Sequence, residues 1–293
     1  MNPPRILAWL CLALMAPGLA RADAPATERV DRARAAAQAQ PADLEIQLDL
    51  VRVLVEADRP DEALEALDYV DALAPRSARA RLWRARALVA LGRVEAAEAT
   101  LRDATEPAAL ALRGELRQAR GAWDDALDDY RVASAAAPSI ALDLRTAQLL
   151  ERMARSDEAM TVLEGGIART GGAVLRVEWI RMARRAGRAR EALRQVDALL
   201  AAAPSARWRV LRAELLREAG DATAARRELV EAEAAADAAV TRRPTAMTLT
   251  ERARVRAARG DRPGAERDLR QALRLAPDWP TARRLLGSLE AGR

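Results

Sequence analysis

The chain has 293 residues, of which 51% are hydrophobic and 31% are charged, and its formal net charge at pH 7 is +5. Such a composition supplies enough apolar residues for a sizeable core and excludes a largely disordered chain. Histidine and lysine are absent. Their absence excludes Ser-His and Cys-His nucleophilic sites, metal sites built from histidine, and a phosphate loop that depends on lysine.

The first 22 residues have the pattern of a secretory signal peptide. Arg5 precedes an apolar run over residues 6–16, and the small-residue sequence ARA follows at 20–22. An uncleaved anchor is the alternative, but this run of 11 residues is shorter than the roughly 20 that a membrane span needs. A lipid anchor on Cys11 is disfavoured because that residue lies in the middle of the run. We predict cleavage after Ala22 and a periplasmic protein, whose net charge is +3 because two arginines and no acidic residue are removed.

Seven related phrases recur along the rest of the chain. Each has an alanine in its middle and a large apolar residue four positions later, as in "DRPDEALEAL" around Ala63 and "GDRPGAERDL" around Ala265. The seven alanines are Ala63, Ala97, Ala126, Ala159, Ala192, Ala225 and Ala265. Their spacings are 34, 29, 33, 33, 33 and 40 residues, a mean of about 34, which is the length of a helix-turn-helix solenoid repeat.

This pattern resembles the tetratricopeptide repeat family over roughly residues 29–293. The small residues, the large apolar residue and the closing proline of the family pattern have counterparts in the last full repeat, Ala253, Ala265, Leu269, Ala272 and Pro277, and in the first, Ala63, Leu67, Val70 and Pro75. The family's leading tryptophan and its Leu-Gly pair are poorly matched, and only Leu286-Gly287 reproduces the pair. The glycines predicted to cap first helices are Gly92, Gly187, Gly220 and Gly260, and the prolines predicted to end second helices are Pro75, Pro138, Pro204 and Pro277.

The resemblance implies an all-α fold, a right-handed α-solenoid of about seven helix-turn-helix repeats with capping helices at both ends. We divide the chain into a signal peptide (1–22), an N-terminal segment and capping helix (23–43), the solenoid (44–279) and a C-terminal capping helix (280–293). The 29-residue step predicts a shortened turn or helix near Pro107. The 40-residue step predicts a second helix lengthened by about two turns, near residues 231–242.

Three stretches could carry chemistry, and each has a plainer interpretation. "EGGIARTGG" at 164–172 is predicted to be a flexible turn rather than an anion cradle. "WDDALDDY" at 123–130 places Asp124 and Asp125 at the start of a helix, where acidic residues complement the helix dipole, so we predict a solvated face rather than a calcium or catalytic site. The basic run at 181–194 is predicted to be a solvated face or a surface for an anionic partner, rather than a nucleic-acid site.

In the family that the chain resembles, ligands commonly lie on the concave surface formed by the first helices. When the register of that family is applied to this chain, one inward-facing position of the first helices is mostly aliphatic. The position one helical turn later is largely basic. The partner-binding candidates are Leu48, Arg52, Leu82, Arg86, Leu144, Val177, Arg181, Val210 and Arg254. We predict that this groove takes a peptide or helix with apolar anchors and acidic flanks. The alternative is that these side chains serve only packing and solubility.

The sequence therefore predicts a non-catalytic scaffold or adaptor in the periplasm of a bacterium, an accessory or assembly factor for an envelope complex. We predict no catalytic residue, metal, cofactor, nucleic-acid partner or stable membrane anchor after signal cleavage. A structural homo-oligomer is one alternative, and an enzyme with a carboxylate-only site is another. A carboxylate clamp of asparagines and lysines is not supported, since lysine is absent and the one asparagine is Asn2.

Overall fold

The computed structural model describes residues 25–291, so the predicted signal peptide lies outside the described part. This part is built from α-helices, and the chain divides after Pro138 into two compact units. The first unit contains α1 (Ala26–Ala39), α2 (Leu44–Glu56), α3 (Pro60–Leu73), α4 (Ala78–Ala90), α5 (Val94–Thr100), α6 (Pro107–Ala119) and α7 (Trp123–Ala136). The second contains α8 (Ile140–Arg152), α9 (Ser156–Thr170), α10 (Ala173–Arg185), α11 (Ala189–Ala202), α12 (Ala206–Glu218), α13 (Ala222–Arg242), α14 (Ala246–Arg259), α15 (Arg262–Leu275) and α16 (Pro280–Ala291).

The helices pack sequentially in pairs, which confirms the predicted helix-turn-helix fold. Seven pairs, from α2 with α3 to α14 with α15, contain the seven phrases, each phrase beginning the second helix of its pair. At the two ends of the described part, α1 packs on α2, and α16 packs on α15 and α14. Neither helix of a pair can bury its apolar face alone, so stacking of neighbouring pairs forms the core.

The repeated alanines are buried within the helix pairs. All seven are at most 2% exposed, from Ala63 in α3 to Ala265 in α15. The large apolar residue four positions later is buried as well, for example Leu67 in the first pair and Leu269 in the last. A larger side chain in place of these alanines would push the helix axes apart, so the recurring phrase records the helix contact.

The predicted helix ends are confirmed. Each pair is joined by a turn of two or three residues that contains one residue with a positive φ, such as Gly92 at 72° and Gly220 at 91°. Asp58 and Ala154 occupy that place in two pairs, at φ 57° and 59°, a conformation that is less favourable for residues with a side chain. The four prolines predicted to end second helices each lie two residues beyond the last helical residue, as Pro277 does after α15.

Both predicted departures from the repeat period are confirmed. Each one comes from a change in the length of a second helix. The short step comes from α5, which has 7 residues, whereas α3 and α7 have 14. The long step comes from α13, which has 21. The added turns of α13 are not free-standing, because Val240 packs against the last core cluster, which includes Leu249 and Leu269.

The prediction of a flexible turn at 164–172 is wrong for two of the four glycines in this stretch. Gly165 and Gly166 lie inside α9, and Gly171, at φ 63°, ends that helix. Gly166 is buried where α9 meets α8 and α10, since a methyl carbon on it would lie 2.5 Å from Asp143 Oδ2 and 2.7 Å from Leu175 Cδ1. The missing side chain therefore lets helices approach, a use of glycine that a Gly-Gly pair does not reveal by itself.

Candidate partner-binding surface

Some first helices of neighbouring pairs contact one another within the two units. In the first unit α2 contacts α4, and in the second unit α8 contacts α10, α12 contacts α14, and α14 contacts α16. The second helices lie farther from one another along the stack. We therefore take the exposed face of the first helices as the inner face of each unit, and we consider the two units separately.

The predicted aliphatic positions differ in burial, and two of the five belong to the core. Leu48 is 1% exposed and Val210 is 8% exposed, so neither offers much surface to a partner. Leu82, Leu144 and Val177 are partly exposed.

Two exposed apolar side chains of the inner face lie three residues before inner-facing positions of the predicted register, which are Val177 in α10 and Thr250 in α14. Val174, at the start of α10, is 58% exposed, and Met247, at the start of α14, is 60% exposed. Residues three apart share one side of a helix, so Val174 lies on the side of Val177. The sequence analysis missed both residues, although this spacing could have indicated them.

Two of the predicted groove arginines are already neutralised within the chain. Arg52 donates hydrogen bonds to Asp49 at 2.5 Å and to Glu56 at 2.9 Å. Arg181 donates to Glu178 at 2.6 Å and to Glu151 at 2.5 Å. These bonds, to Glu178 first and then Glu151, raise the pKa of Arg181 above its ordinary value. Both arginines thus have their own carboxylates and little unused charge for a partner.

The basic run at 181–194 supplies ion pairs between successive first helices. Arg184 of α10 reaches Glu218 of α12 at 2.5 Å and Glu214 at 3.2 Å. On the other side of α10, Arg185 reaches Glu151 of α8 at 2.8 Å. Together with the Arg181–Glu151 bond, these contacts link α8, α10 and α12. Reversing the charge of Arg181 would therefore disturb the stack itself, and would not test partner binding cleanly.

The ion pairs that link α8, α10 and α12 predict that the protein loses stability in acid. The hydrogen bond from Arg181 lowers the pKa of Glu151 below its ordinary value of 4.5. A carboxyl group whose pKa is lower in the folded chain stabilises the fold above its unfolded pKa, and the contribution disappears as the pH falls through the folded pKa. We expect Glu151→Gln to lower the free energy of unfolding by about 1 kcal/mol at pH 7 and by progressively less from pH 5 to pH 3.

Urea unfolding at several pH values measures this difference. Glu231→Gln, on the exposed face of α13, is the matched control and should change stability little at any of them. A Glu151→Gln deficit of the same size at pH 7 and at pH 3 would contradict the assignment.

Arg86 and Arg254 differ from the other groove arginines. The Arg86 guanidinium lies 4.6 Å from the centre of the Trp83 ring, and burial lowers its pKa despite the nearby carboxylates of Glu115 and Glu56. The Nε of Arg254 is buried and has no hydrogen-bond partner in the described chain, since Glu251 is 3.8 Å away. The described contacts therefore hold neither arginine as closely to a carboxylate as Arg52 and Arg181 are held.

A pocket lies beside Arg254 in the second unit. Its volume is about 260 Å³, and it lies between α12, α14, α15 and α16. Its polar lining residues are Glu214, Arg254 and Ser288, and the others are apolar: Val210, Ala253, Ala257, Ala258, Leu269, Leu285 and Leu289. We call it the α14–α16 pocket.

The acidic phrase at 123–130 is only partly the solvated face that we predicted. Asp124 and Asp125 lie in the first turn of α7 and are exposed. Asp129, however, is buried and binds both Arg113 at 2.6 Å and Arg117 at 3.0 Å. Residues 25–291 contain no group of three or more Asp, Glu, His or Cys side chains that could hold a metal ion. No helix within that range is long and apolar enough to cross a membrane.

Two segments of the chain match family models described as tetratricopeptide repeat, residues 54–116 and residues 178–246. This chain contains tetratricopeptide repeats in both segments. The resemblance seen in its sequence is thereby confirmed, and no curated protein matches the chain as a whole or in part. Tetratricopeptide repeat proteins are generally non-catalytic scaffolds that bind other proteins.

Solved structures share this fold at low sequence identity. The C-terminal part of a tetratricopeptide repeat-containing protein from Cytophaga hutchinsonii is 16% identical with a TM-score of 0.52, covering 81% of this chain and 98% of that one. Yeast Tom70 is 15% identical with a TM-score of 0.50, covering 91% of this chain and 58% of that one. Likenesses at this identity concern the fold alone.

Proposed function

We propose that this tetratricopeptide repeat protein is a periplasmic scaffold that binds a protein partner on the inner face of its first helices. The partner segment is a peptide or helix with apolar anchors and acidic flanks, and the protein serves the assembly of an envelope complex. The observation that carries the proposal is the pair of largely exposed apolar side chains on first helices, Val174 and Met247. An extended peptide or a helix that lies along successive repeats can use such separated apolar side chains as anchor contacts.

Export is supported by the N-terminal sequence. The apolar run between Arg5 and the ARA sequence at 20–22 is too short to span a bilayer and has the form of a cleaved signal. We expect the protein in the periplasmic fraction of its cells, with a mature chain that begins at Asp23. A chain that retains Met1 in the cytoplasmic fraction would overturn the periplasmic part of the proposal and leave the scaffold part standing.

In-cell crosslinking of the tagged mature protein, followed by mass spectrometry, tests the scaffold part. The variant Val174→Asp with Met247→Asp places charges on the inner face at two exposed positions, where the fold tolerates them. The matched control is Val132→Asp with Val230→Asp, because these valines are 57% and 52% exposed on the second helices α7 and α13.

We expect one dominant partner, lost in the inner-face variant and retained in the control. Retention in both would place the interface on another surface and contradict the proposal. Crosslinks between copies of the chain alone would favour a structural oligomer, the alternative that the sequence left open.

A further inference from the structure

The second unit has two edges where its helices turn. Successive helices are joined by short turns and pack in sequence, so they run roughly antiparallel, and the turns alternate between the two edges. At one edge, first helices end and second helices begin. At the other edge, second helices end and the next first helices begin. We call this other edge the basic edge, and it consists of residues 168–174, 201–207, 241–247 and 274–280.

The basic edge has an excess of positive charge. Its four segments contain five arginines and one aspartate. The opposite edge contains seven arginines and six acidic residues in segments of equal length, which are residues 152–158, 185–191, 218–224 and 259–265. The two edges therefore differ in charge balance, although they belong to the same helices.

Most arginines of the basic edge have no carboxylate of their own. The aspartate of this edge, Asp278, is paired with Arg283 at 2.7 Å, and Arg169 is paired with the buried Asp143 at 2.7 Å. Four exposed arginines are left without a carboxylate partner within the described chain, and these are Arg207, Arg242, Arg243 and Arg274. An anionic ligand at this edge would thus meet cations that are not already neutralised.

The basic edge also exposes apolar side chains. Leu275, at the end of α15, is 56% exposed, and Val174 and Met247, where the edge meets the inner face, are 58% and 60% exposed. The Arg207 guanidinium lies 4.5 Å from the centre of the ring of Trp208, which is half-buried. None of the large exposed apolar residues of the described second unit belongs to the opposite edge. Cationic and apolar side chains are therefore combined at one edge.

We infer that the basic edge of the second unit docks on the surface of a membrane that contains anionic lipids. Guanidinium groups form charge-assisted hydrogen bonds with phosphate, and each arginine close to an anionic bilayer adds to the attraction. Leu275 can enter the interface while the neighbouring arginines stay among the headgroups. An arginine stacked on a tryptophan also suits the boundary between headgroups and hydrocarbon.

The positions of the arginines favour a bilayer over a protein segment. The partner segment of the proposed function lies along the first helices, whereas these arginines lie in the turns and at helix ends. They come from three successive turns of the edge, those before α12, α14 and α16. A bilayer presents phosphate groups across a plane, so arginines on separate turns can each contact a different headgroup.

Co-sedimentation of the mature protein with lipid vesicles tests the inference. One set of vesicles contains phosphatidylglycerol mixed into phosphatidylcholine, and the other contains phosphatidylcholine alone. We expect the protein to sediment with the anionic vesicles and to stay in the supernatant with the neutral ones. Salt at about 1 M should release most of it, because the Debye length is then only about 3 Å. Binding to neither kind of vesicle, or equal binding to both, would overturn the inference.

Two variants assign the binding to the basic edge. Arg242→Gln with Arg243→Gln should weaken binding to the anionic vesicles about tenfold, because two cations are removed from the edge. Leu275→Asn should weaken it about threefold, since an apolar contact with the interface is lost. The matched control is Arg190→Gln with Arg227→Gln, which removes the same charge at exposed positions in the first two turns of α11 and α13. The control should bind like the wild type, and an equal loss in it would contradict the assignment.

This inference and the proposed function fail separately, because these substitutions leave Val174 and Met247 in place. If no vesicles bind and Arg242→Gln with Arg243→Gln removes the crosslinked partner, the edge is a protein-binding surface and the lipid inference falls. If the vesicles bind as expected but cells yield no crosslinked partner, the lipid surface stands and the scaffold role falls.

Discussion

Asp268→Ala is expected to lower the free energy of unfolding by roughly 3–5 kcal/mol, as removal of one partner from a buried ion pair does. The carboxylate is only 4% exposed and binds two guanidinium groups: Arg252 Nη2 at 2.6 Å and Arg256 Nη1 at 2.9 Å. Without it, both arginines of α14 remain largely buried, with Asp237 as a weaker neighbour at 3.2 Å and 3.4 Å. The same arrangement recurs in the first unit, where Asp129 binds Arg113 and Arg117.

Urea unfolding monitored by tryptophan fluorescence measures the effect, because Trp279 packs against the core cluster that contains Leu269. Asp197→Ala is the matched control, since this aspartate is 53% exposed and makes one bond to Arg212 at 2.7 Å. Its loss should cost less than about 1 kcal/mol. An Asp268→Ala variant no less stable than the Asp197→Ala variant would contradict a structural role for the buried carboxylate.

Gly114→Ala is expected to destabilise the first unit by about 1–3 kcal/mol, although alanine is the better helix former. A methyl carbon on Gly114 would lie 2.6 Å from Tyr130 Cε1 and 3.2 Å from the carbonyl oxygen of Ala126. Tyr130 cannot easily move away, because it is 1% exposed and donates a hydrogen bond to Gln118 at 3.0 Å. Overpacking of the α6–α7 contact therefore outweighs the gain in helix propensity.

A second substitution tests this explanation. Four other repeats combine an alanine with a leucine at these two places, and their pairs are Ala85 with Leu101, Ala147 with Leu163, Ala213 with Leu229 and Ala253 with Leu269. We expect Gly114→Ala to do less harm in the Tyr130→Leu background than alone, a non-additivity that thermal or urea unfolding would reveal. Gly287→Ala in α16 is the control, since a methyl carbon there meets no atom within 4 Å and should be neutral or stabilising by up to about 1 kcal/mol. Additive losses would point to a cause other than the contact with Tyr130.

Charge patterns were harder to interpret from the sequence than apolar patterns. The run at 181–194 has the composition of a basic surface, but several of its carboxylate partners come from first helices one repeat away, as Glu151 and Glu218 do. Asp129 reads as one more member of an acidic face, yet it is buried against arginines 12 and 16 residues before it. Long charged side chains reach across helices, so their pairing depends on packing that local spacing does not encode.

The sequence by itself determined the repeat: the alanines at helix crossings, the turn residues with positive φ, the closing prolines, and the short α5 and long α13. These features are local, because helix period, cap chemistry and repeat length act within about 34 residues. The tertiary structure alone decided how the arginines are paired and where a pocket opens. Arginine pairing depends on carboxylates of neighbouring helices, and the pocket is formed by side chains from α12, α14, α15 and α16 that meet only when the helices pack.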